Sequence, residues 1–370
     1  MNRAQLIAML GLVFATGTLA QDKLLAVAAK GAPKFTTIDA PGASKAAYQG
    51  TQATSVNEAG TIAGWYADVN LVYHGFVRDP NGTMTVFDAP GAGTGLEHGT
   101  VGVSINSEGA IAGYVSDAAY VFHGFVRTAS GSIATFDAPG AGTGPGLGTW
   151  GMSIRRAGAI AGFYYDNNHA SHAFRRAPDG TMTIFDVPGA ATGYNQGAFP
   201  TAINAEDVIA GYYSDANNAY HSFVRANDGT VTTFDAPGAG TEAGDGTYSE
   251  AINDAGEIAG YYLDARRGYH GFLRDSTGAI TGFSAASPTQ GIAALALDGE
   301  GFIVGYAYNT RVLSSGFVRA RDGAIITYDA PGAGGNANQG TLATGINAAG
   351  AIVGYYLDAT NAFHGFVLAP

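Results

Sequence analysis

The 370-residue sequence has no cysteine. Disulfides are thereby excluded, and an exported chain of this size has to hold together through a packed core. Charge is scarce too: only 13% of residues are Asp, Glu, Lys or Arg, with 18 basic against 30 acidic and a formal net charge of −12. An acidic surface without a basic stripe repels nucleic acid and anionic membranes, so nucleic acid is excluded as a partner class. No segment repeats apolar residues at the helical period over a helical length. Beyond the first residues, no run approaches the roughly 18 consecutive apolar residues of a membrane-spanning helix.

Those first residues, MNRAQLIAMLGLVFATGTLAQD, combine a basic start at Arg3, an apolar run from Leu6 to about Phe14, and the small residues Thr18 and Ala20. This pattern predicts a cleavable secretory signal over 1–20, followed by a linker over 21–34, with the product secreted or periplasmic. Loss of Arg3 leaves 17 basic against 30 acidic residues, or −13. What the chain has in quantity is glycine (56), tyrosine (20) and 46% hydrophobic residues, a composition of strands and tight turns.

The phrase FDAPGAGTG, beginning at Phe87, is one copy of a repeat. Its aspartate recurs as Asp39, Asp88, Asp137, Asp186 and Asp235, each 49 residues apart; Ser284 takes the next place and Asp329 follows after 45. A second marker gives His74, His123, His172, His221 and His270, then Ser315, then His364. Both series count seven units. Each unit splits into four short pieces rich in Thr, Val, Ile, Tyr and Phe, with glycine-ended turns such as those at Gly60 and Gly82. Four-stranded meanders at this spacing predict an all-β fold, a seven-bladed β-propeller forming one domain over 35–370. The repeat opens with a lone fourth strand at Phe35 and ends on a third strand before Pro370, so the N-terminal strand is expected to complete the last blade beside Phe363 to Leu368. A monomer is expected. An open solenoid is the competing architecture, which the complementary ends disfavour.

The unit "IN..G.IAGYY.D.....HGFVR" resembles the bacterial extracellular HAF-repeat family. His172-Ala173-Phe174 spells its His-Ala-Phe signature, five other copies read His-Gly-Phe or His-Ser-Phe, and Ser315-Gly316-Phe317 departs. The resemblance runs from about residue 35 to the end. It implies export and a propeller-like repeat, and no activity.

Antiparallel strands sort the loops onto two faces. The connector DAPGAGTG, the aspartate ending strand two and the histidine beginning strand three fall on one face; the glycine-ended hairpins fall on the other. The pairs are Asp68 with His74, Asp117 with His123, Asp166 with His172, Asp215 with His221, Asp264 with His270, and Asp358 with His364. In the sixth unit Ser284, Asn309 and Ser315 replace connector aspartate, strand-two aspartate and histidine. Joint loss is the cheap way to dismantle a polar cluster, since one orphaned partner costs about 1–3 kcal/mol. The clusters are therefore read as structural latches, because six copies around a ring suit architecture better than a single catalytic constellation.

No zinc spacing and no phosphate loop with its helix and lysine is present. Calcium is the one cation the sequence leaves open, through runs such as Asp166-Asn167-Asn168 and Asp215-Ala216-Asn217-Asn218. Residues that break the repeat are the candidates for a specific site: Glu250, His98 and His169 for catalysis, and Trp150, Tyr194, Tyr248, Asp245, Arg266 and Arg267 for ligand binding. Arg155, in place of the recurrent asparagine, reads as drift on the hairpin face. The expected function is a non-enzymatic binding or scaffold module for an extracellular glycan or protein. The alternative is a polysaccharide lyase or hydrolase at the axial mouth of the connector face.

Overall fold

The computed structural model describes residues 34–285, 291–309 and 313–369. The expected signal over 1–20 and the expected linker as far as residue 33 lie outside them, and Lys34 already belongs to the first strand. Among the described residues there are 28 strands and no helix. β2 (Gly50–Val56), β3 (Ile62–Ala67), β4 (Tyr73–Arg78) and β5 (Met84–Phe87) pair in order as an antiparallel meander. The same order repeats along the chain until β26 (Gly340–Ile346), β27 (Ile352–Leu357) and β28 (Phe363–Ala369), which lack a following strand. β1 (Lys34–Ile38) fills that place, with Lys34 opposite Ala369 and Ile38 opposite Gly365.

The first strands of the successive meanders, β2, β6 (Gly99–Ile105), β10 (Gly148–Ile154), β14 (Gly197–Ile203), β18 (Gly246–Ile252), β22 (Gly291–Leu297) and β26, each contact the next, and β26 contacts β2. Side-chain bonds between neighbouring meanders follow the same circle. Asn57 Nδ2 donates to the Asn106 carbonyl (3.0 Å), Asn204 to Asn253 (3.1 Å), Asn253 to Asp298 (3.1 Å), and Asn347 back to Asn57 (2.9 Å). The bond from Asn347 to Asn57 ties the last meander to the first.

The core repeats with the sequence. Phe76, Phe125, Phe174, Phe223, Phe272, Phe317 and Phe366 are fully buried, and Ile62, Ile111, Ile160, Ile209 and Ile258 are buried with them. Each phenylalanine covers a glycine two strands in from the edge: a Cβ on Gly64 would collide with the Gln52 carbonyl and the Phe76 ring. Glycine there lets the ring lie flat on the sheet.

The phrase FDAPGAGTG joins an outer strand to the next inner one. The N–H of its alanine donates to a fully buried threonine on that inner strand: Ala40 to Thr51, Ala89 to Thr100, Ala138 to Thr149, Ala236 to Thr247 (2.9 Å each) and Ala330 to Thr341 (2.8 Å). These bonds fix where the connector face begins.

Candidate functional site

On the connector face the repeat histidines are held on three sides, except His123, where Val115 replaces the stacking tyrosine. His74 Nδ1 lies 2.8 Å from Asp88 Oδ1, its Nε2 lies 3.9 Å from Asp68 Oδ2, and its ring stacks on Tyr66 with centroids 5.0 Å apart. The Nδ1 contact recurs from His123 to Asp137 (2.7 Å), His172 to Asp186 (2.8 Å), His221 to Asp235 (3.0 Å) and His364 to Asp39 (2.8 Å). The connector aspartate is thus the closer partner, for a register reason: Gly75 pairs with Phe87, so His74 stands opposite Asp88. The strand-two aspartate is engaged elsewhere. Asp68 Oδ1 accepts the N–H groups of Asn70 and Val72 (2.8 Å each), closing its own loop. The amide runs Asp166 to Asn168 and Asp215 to Asn218 close in the same way.

The same register corrects the reading of the sixth unit. Ser284 is not the partner of the Ser315 position; it faces His270, whose Nδ1 lies 2.8 Å from the Ser284 hydroxyl. Ser315 instead stands opposite Asp329, since Gly316 pairs with Tyr328. The losses therefore fall in two neighbouring clusters. Where the serine replaces a carboxylate, His270 Nε2 closes to 3.1 Å from Asp264 Oδ2, the shortest such contact of the set.

Five connectors also dock on the loop between strands two and three of the preceding meander. Glu97 N–H donates to the Leu71 carbonyl (2.7 Å), Gly146 to Tyr120 (2.7 Å), Asn195 to His169 (2.9 Å), Gly244 to Asn218 (2.9 Å) and Tyr48 to Asn361 (2.7 Å). The acceptors Leu71, Tyr120, His169, Asn218 and Asn361 all sit at φ of 60° to 65°, a left-handed conformation that costs a side-chain-bearing residue about 1 kcal/mol or more. The backbone is constant from junction to junction, and the side chains on it are not.

The repeat-breaking candidates distribute over this frame. His169 packs against Tyr194 with centroids 4.4 Å apart and the rings tilted by 33°, and Tyr194 is 68% exposed. His98 packs against Tyr120 (5.1 Å), with its Nδ1 buried and without a hydrogen-bond partner. Asp245 is buried and meets Arg267 Nε at 3.5 Å, while Arg267 Nη2 donates to the Ala243 carbonyl (2.9 Å); Arg266 is exposed. Two residues picked separately for ligand binding thus engage each other. Trp150 is half-buried in a stack between Phe122 (4.5 Å) and Phe163 (5.2 Å). Tyr248 lies on Tyr261 (4.9 Å) and donates its hydroxyl to the Gly244 carbonyl (2.9 Å).

Glu250 sits elsewhere. In each innermost strand the pairing register slips by one residue, between Ala53 and Ser55 in β2 and between Ser249 and Ala251 in β18. The extra residue leaves the alternation of the strand. Glu250 is that residue, and it lines a cavity of about 470 Å³ on the axis, bordered by all seven innermost strands. Burial pushes its carboxyl up to about 8. His98 and His169 do not line this cavity. Nor does it open where the sequence reading placed an axial site: through Val56, Glu58, Ile105, Ile203 and Ile252 it continues into a vestibule of about 230 Å³ on the hairpin face, beside Asn57, Asn106 and Arg155.

Arg155 is not drift. Its Nε and Nη2 donate to Asp207 Oδ1 and Oδ2 at 2.6 and 2.8 Å, and Arg175 Nη2 adds a bond to Asp207 Oδ2 at 2.8 Å. Asp207 has φ 63° where the equivalent turns carry Gly60, Gly109, Gly158 and Gly256. The lost asparagine bond between neighbouring meanders is thus replaced by an ion-paired clamp, which needed two compensating changes in sequence to be recognised.

No protein-family model matches the chain, and a search of curated proteins finds no match. Solved structures do match in fold. A streptogramin B lyase superposes with a TM-score of 0.58 at 14% identity, covering 90% of this chain and 97% of the lyase. The β-propeller domain of the Trilobed protease from Pyrococcus furiosus gives 0.56 at 10% identity, covering 88% and 96%. The BP39L lectin from Burkholderia pseudomallei gives 0.51 at 10% identity, covering 89% and 99%. The chain shares the all-β propeller architecture of these proteins.

Proposed function

We propose that this chain is an exported, seven-bladed β-propeller that acts as a non-enzymatic binding or scaffold module for an extracellular glycan or protein, using the connector face. A lectin, a lyase and the propeller domain of a protease share this architecture, so the fold does not choose among functions. The observation that carries the reading is the junction frame: one backbone bond, repeated around the face, presents Leu71, Tyr120, His169, Asn218 and Asn361 beside Glu97, Gly146, Asn195, Gly244 and Tyr48. A constant scaffold with varied side chains is the arrangement of a recognition surface. The exposed Tyr194 ring on His169 is its strongest feature, a flat apolar face with a polar neighbour that suits a sugar ring. The HAF-repeat signature and the export signal belong to the same proposal.

The lyase or hydrolase reading needs Glu250, His98 and His169 in one pocket; they lie apart, and the repeat histidines are each bound to aspartate or serine. A glycan array and thermal-shift screen, with and without calcium and chelator, tests the proposal. Binding that falls at least tenfold in the Tyr194→Ala variant supports it. Absence of binding to any glycan or extracellular protein sinks it, and turnover of a uronic-acid polymer establishes the enzyme reading instead.

A further inference from the structure

The seven register slips bring seven side chains to the axis, and they are not alike. Thr54, Thr201 and Thr344 are hydroxylic, Val103, Met152 and Leu295 are apolar, and Glu250 alone is charged. Each threonine proton is committed to backbone. Thr54 Oγ1 donates to the Gly102 carbonyl (2.9 Å), Thr201 to Ser249 (2.9 Å) and Thr344 to Ala53 (2.8 Å). A hydroxyl that has spent its proton still accepts, so the three threonines turn acceptor oxygens toward the cavity. Among the described residues no hydrogen bond or ion pair engages the Glu250 carboxyl, and burial is the sole cause of its raised pKa.

We propose that the axial cavity is a binding site for a small organic cation, a primary ammonium whose head pairs with Glu250 and hydrogen-bonds the threonine oxygens while its alkyl body packs on Val103, Met152 and Leu295. A primary ammonium offers three donors and no acceptor, which matches a wall of acceptors around one carboxylate. A divalent metal is a poor match, because hard cations take several carboxylate or carbonyl ligands, and at the level of the register slips the ring offers Glu250 alone beside neutral hydroxyls, with Glu58 nearer the mouth and engaged by the Ala348 N–H. Entry is from the hairpin face, through a vestibule lined by Glu58 and Asp254 together with Arg155 and Arg156, whose charges are paired with Asp207 and Glu108. The site is separate from the connector-face junctions, so either proposal can fail alone.

Calorimetric titration of the leaderless chain with n-butylammonium chloride at pH 7 and pH 9 tests this. Saturable binding is expected at pH 9, about tenfold weaker at pH 7, because Glu250 with a pKa near 8 is mostly protonated at the lower pH. The other titratable groups facing Glu250 are Tyr212, Tyr261 and Tyr306, all held protonated chiefly by burial, and Glu58 at the cavity wall, which accepts the Ala348 N–H (3.1 Å). Glu250→Gln, checked for a melting temperature no lower than that of the parent, is expected to abolish binding. Val103→Lys, which supplies an ammonium from the opposite side of the ring, three innermost strands away from Glu250, is expected to fill the site and block the ligand. No saturable binding at pH 9, undiminished binding by Glu250→Gln, or equal competition by potassium chloride would each overturn the proposal.

Discussion

His364 Nδ1 lies 2.8 Å from Asp39 Oδ1 across 325 positions of sequence, making the contact that His74 makes with Asp88 across 14. The two bonds are chemically alike, but one of them ties the ends of the chain. Asp39→Ala is expected to cost about 0.5–1 kcal/mol, like any one latch. Removing residues 1–40 takes away β1 as well and exposes the edge of β28 and the buried Ile38 site. Differential scanning calorimetry should show a far larger fall in Tm for the deletion than for Asp39→Ala. Equal falls would mean that the strand does not close the ring.

The latch itself is a coupling energy. In a double-mutant cycle of His123→Ala and Asp137→Ala, the interaction is expected at about 0.5–1 kcal/mol by urea denaturation, since the pair is 2.7 Å apart but Asp137 is more than half exposed. In the neighbouring clusters with one partner missing, Ser315→His places an imidazole opposite Asp329 and should stabilise by about 0.5–1.5 kcal/mol. A coupling within error of zero, together with no gain from Ser315→His, would leave the histidines without a structural role.

Much of this was legible in the sequence because it is periodic. The 49-residue spacing gave four strands per unit, and the odd strand at each end anticipated the pairing of Phe35 with Leu368. Periodicity is blind to register, however. A reader of spacing alone assigns Ser284 to the unit that follows it, although strand pairing sets it against His270 in the one before. The slip between Ser249 and Ala251 is equally invisible, as it depends on how one strand opposes another, and without it Glu250 reads as a residue of the connector side. Ion pairs between units, such as Arg155 with Asp207, look like separate irregularities until the ring brings them together.

Acid should loosen the connector face. Asp68, Asp117, Asp166, Asp215, Asp264 and Asp358 are held below the ordinary aspartate range: burial opposes the shift, and hydrogen bonds from their loops together with the adjacent histidine overcome it. A carboxyl whose folded pKa is depressed contributes stability above its unfolded value, near 3.8, and loses it as pH falls through the folded one. Stability is therefore expected to hold down to about pH 4 and to fall below it. Replacing all six by asparagine, which occupies the equivalent position at Asn309, should flatten that acid limb. Denaturant titrations at pH 6 and pH 3 that show the same loss in both proteins would contradict this.

On the hairpin face the clamp at Asp207 is a test of compensation. Asp207→Gly relieves the left-handed backbone but strands the Arg155 and Arg175 guanidiniums, so a net loss of about 1–3 kcal/mol is expected. The triple change Asp207→Gly, Arg155→Asn and Arg175→Val restores the pattern of the neighbouring units and should recover most of it. Recovery by Asp207→Gly alone would show that the strain outweighs the ion pairs.

Glu250 makes the opposite pH prediction from the connector-face aspartates. Burial raises its pKa from 4.5 to about 8, so between those values the folded protein holds a proton that the unfolded chain has released. Proton uptake on folding means that stability declines as pH rises through this window, by on the order of 1.4 kcal/mol per pH unit, and levels off above the folded value. Glu250→Gln keeps the shape of the protonated acid and cannot ionise. Its stability relative to the parent should therefore be near equal at pH 4.5 and increasingly greater up to pH 8, where the difference reaches several kcal/mol. Melting temperatures at pH 5, 7 and 9 measure this directly. A difference that does not grow with pH would show that the Glu250 carboxyl is solvated or paired, and would remove the reason for expecting a cation beside it.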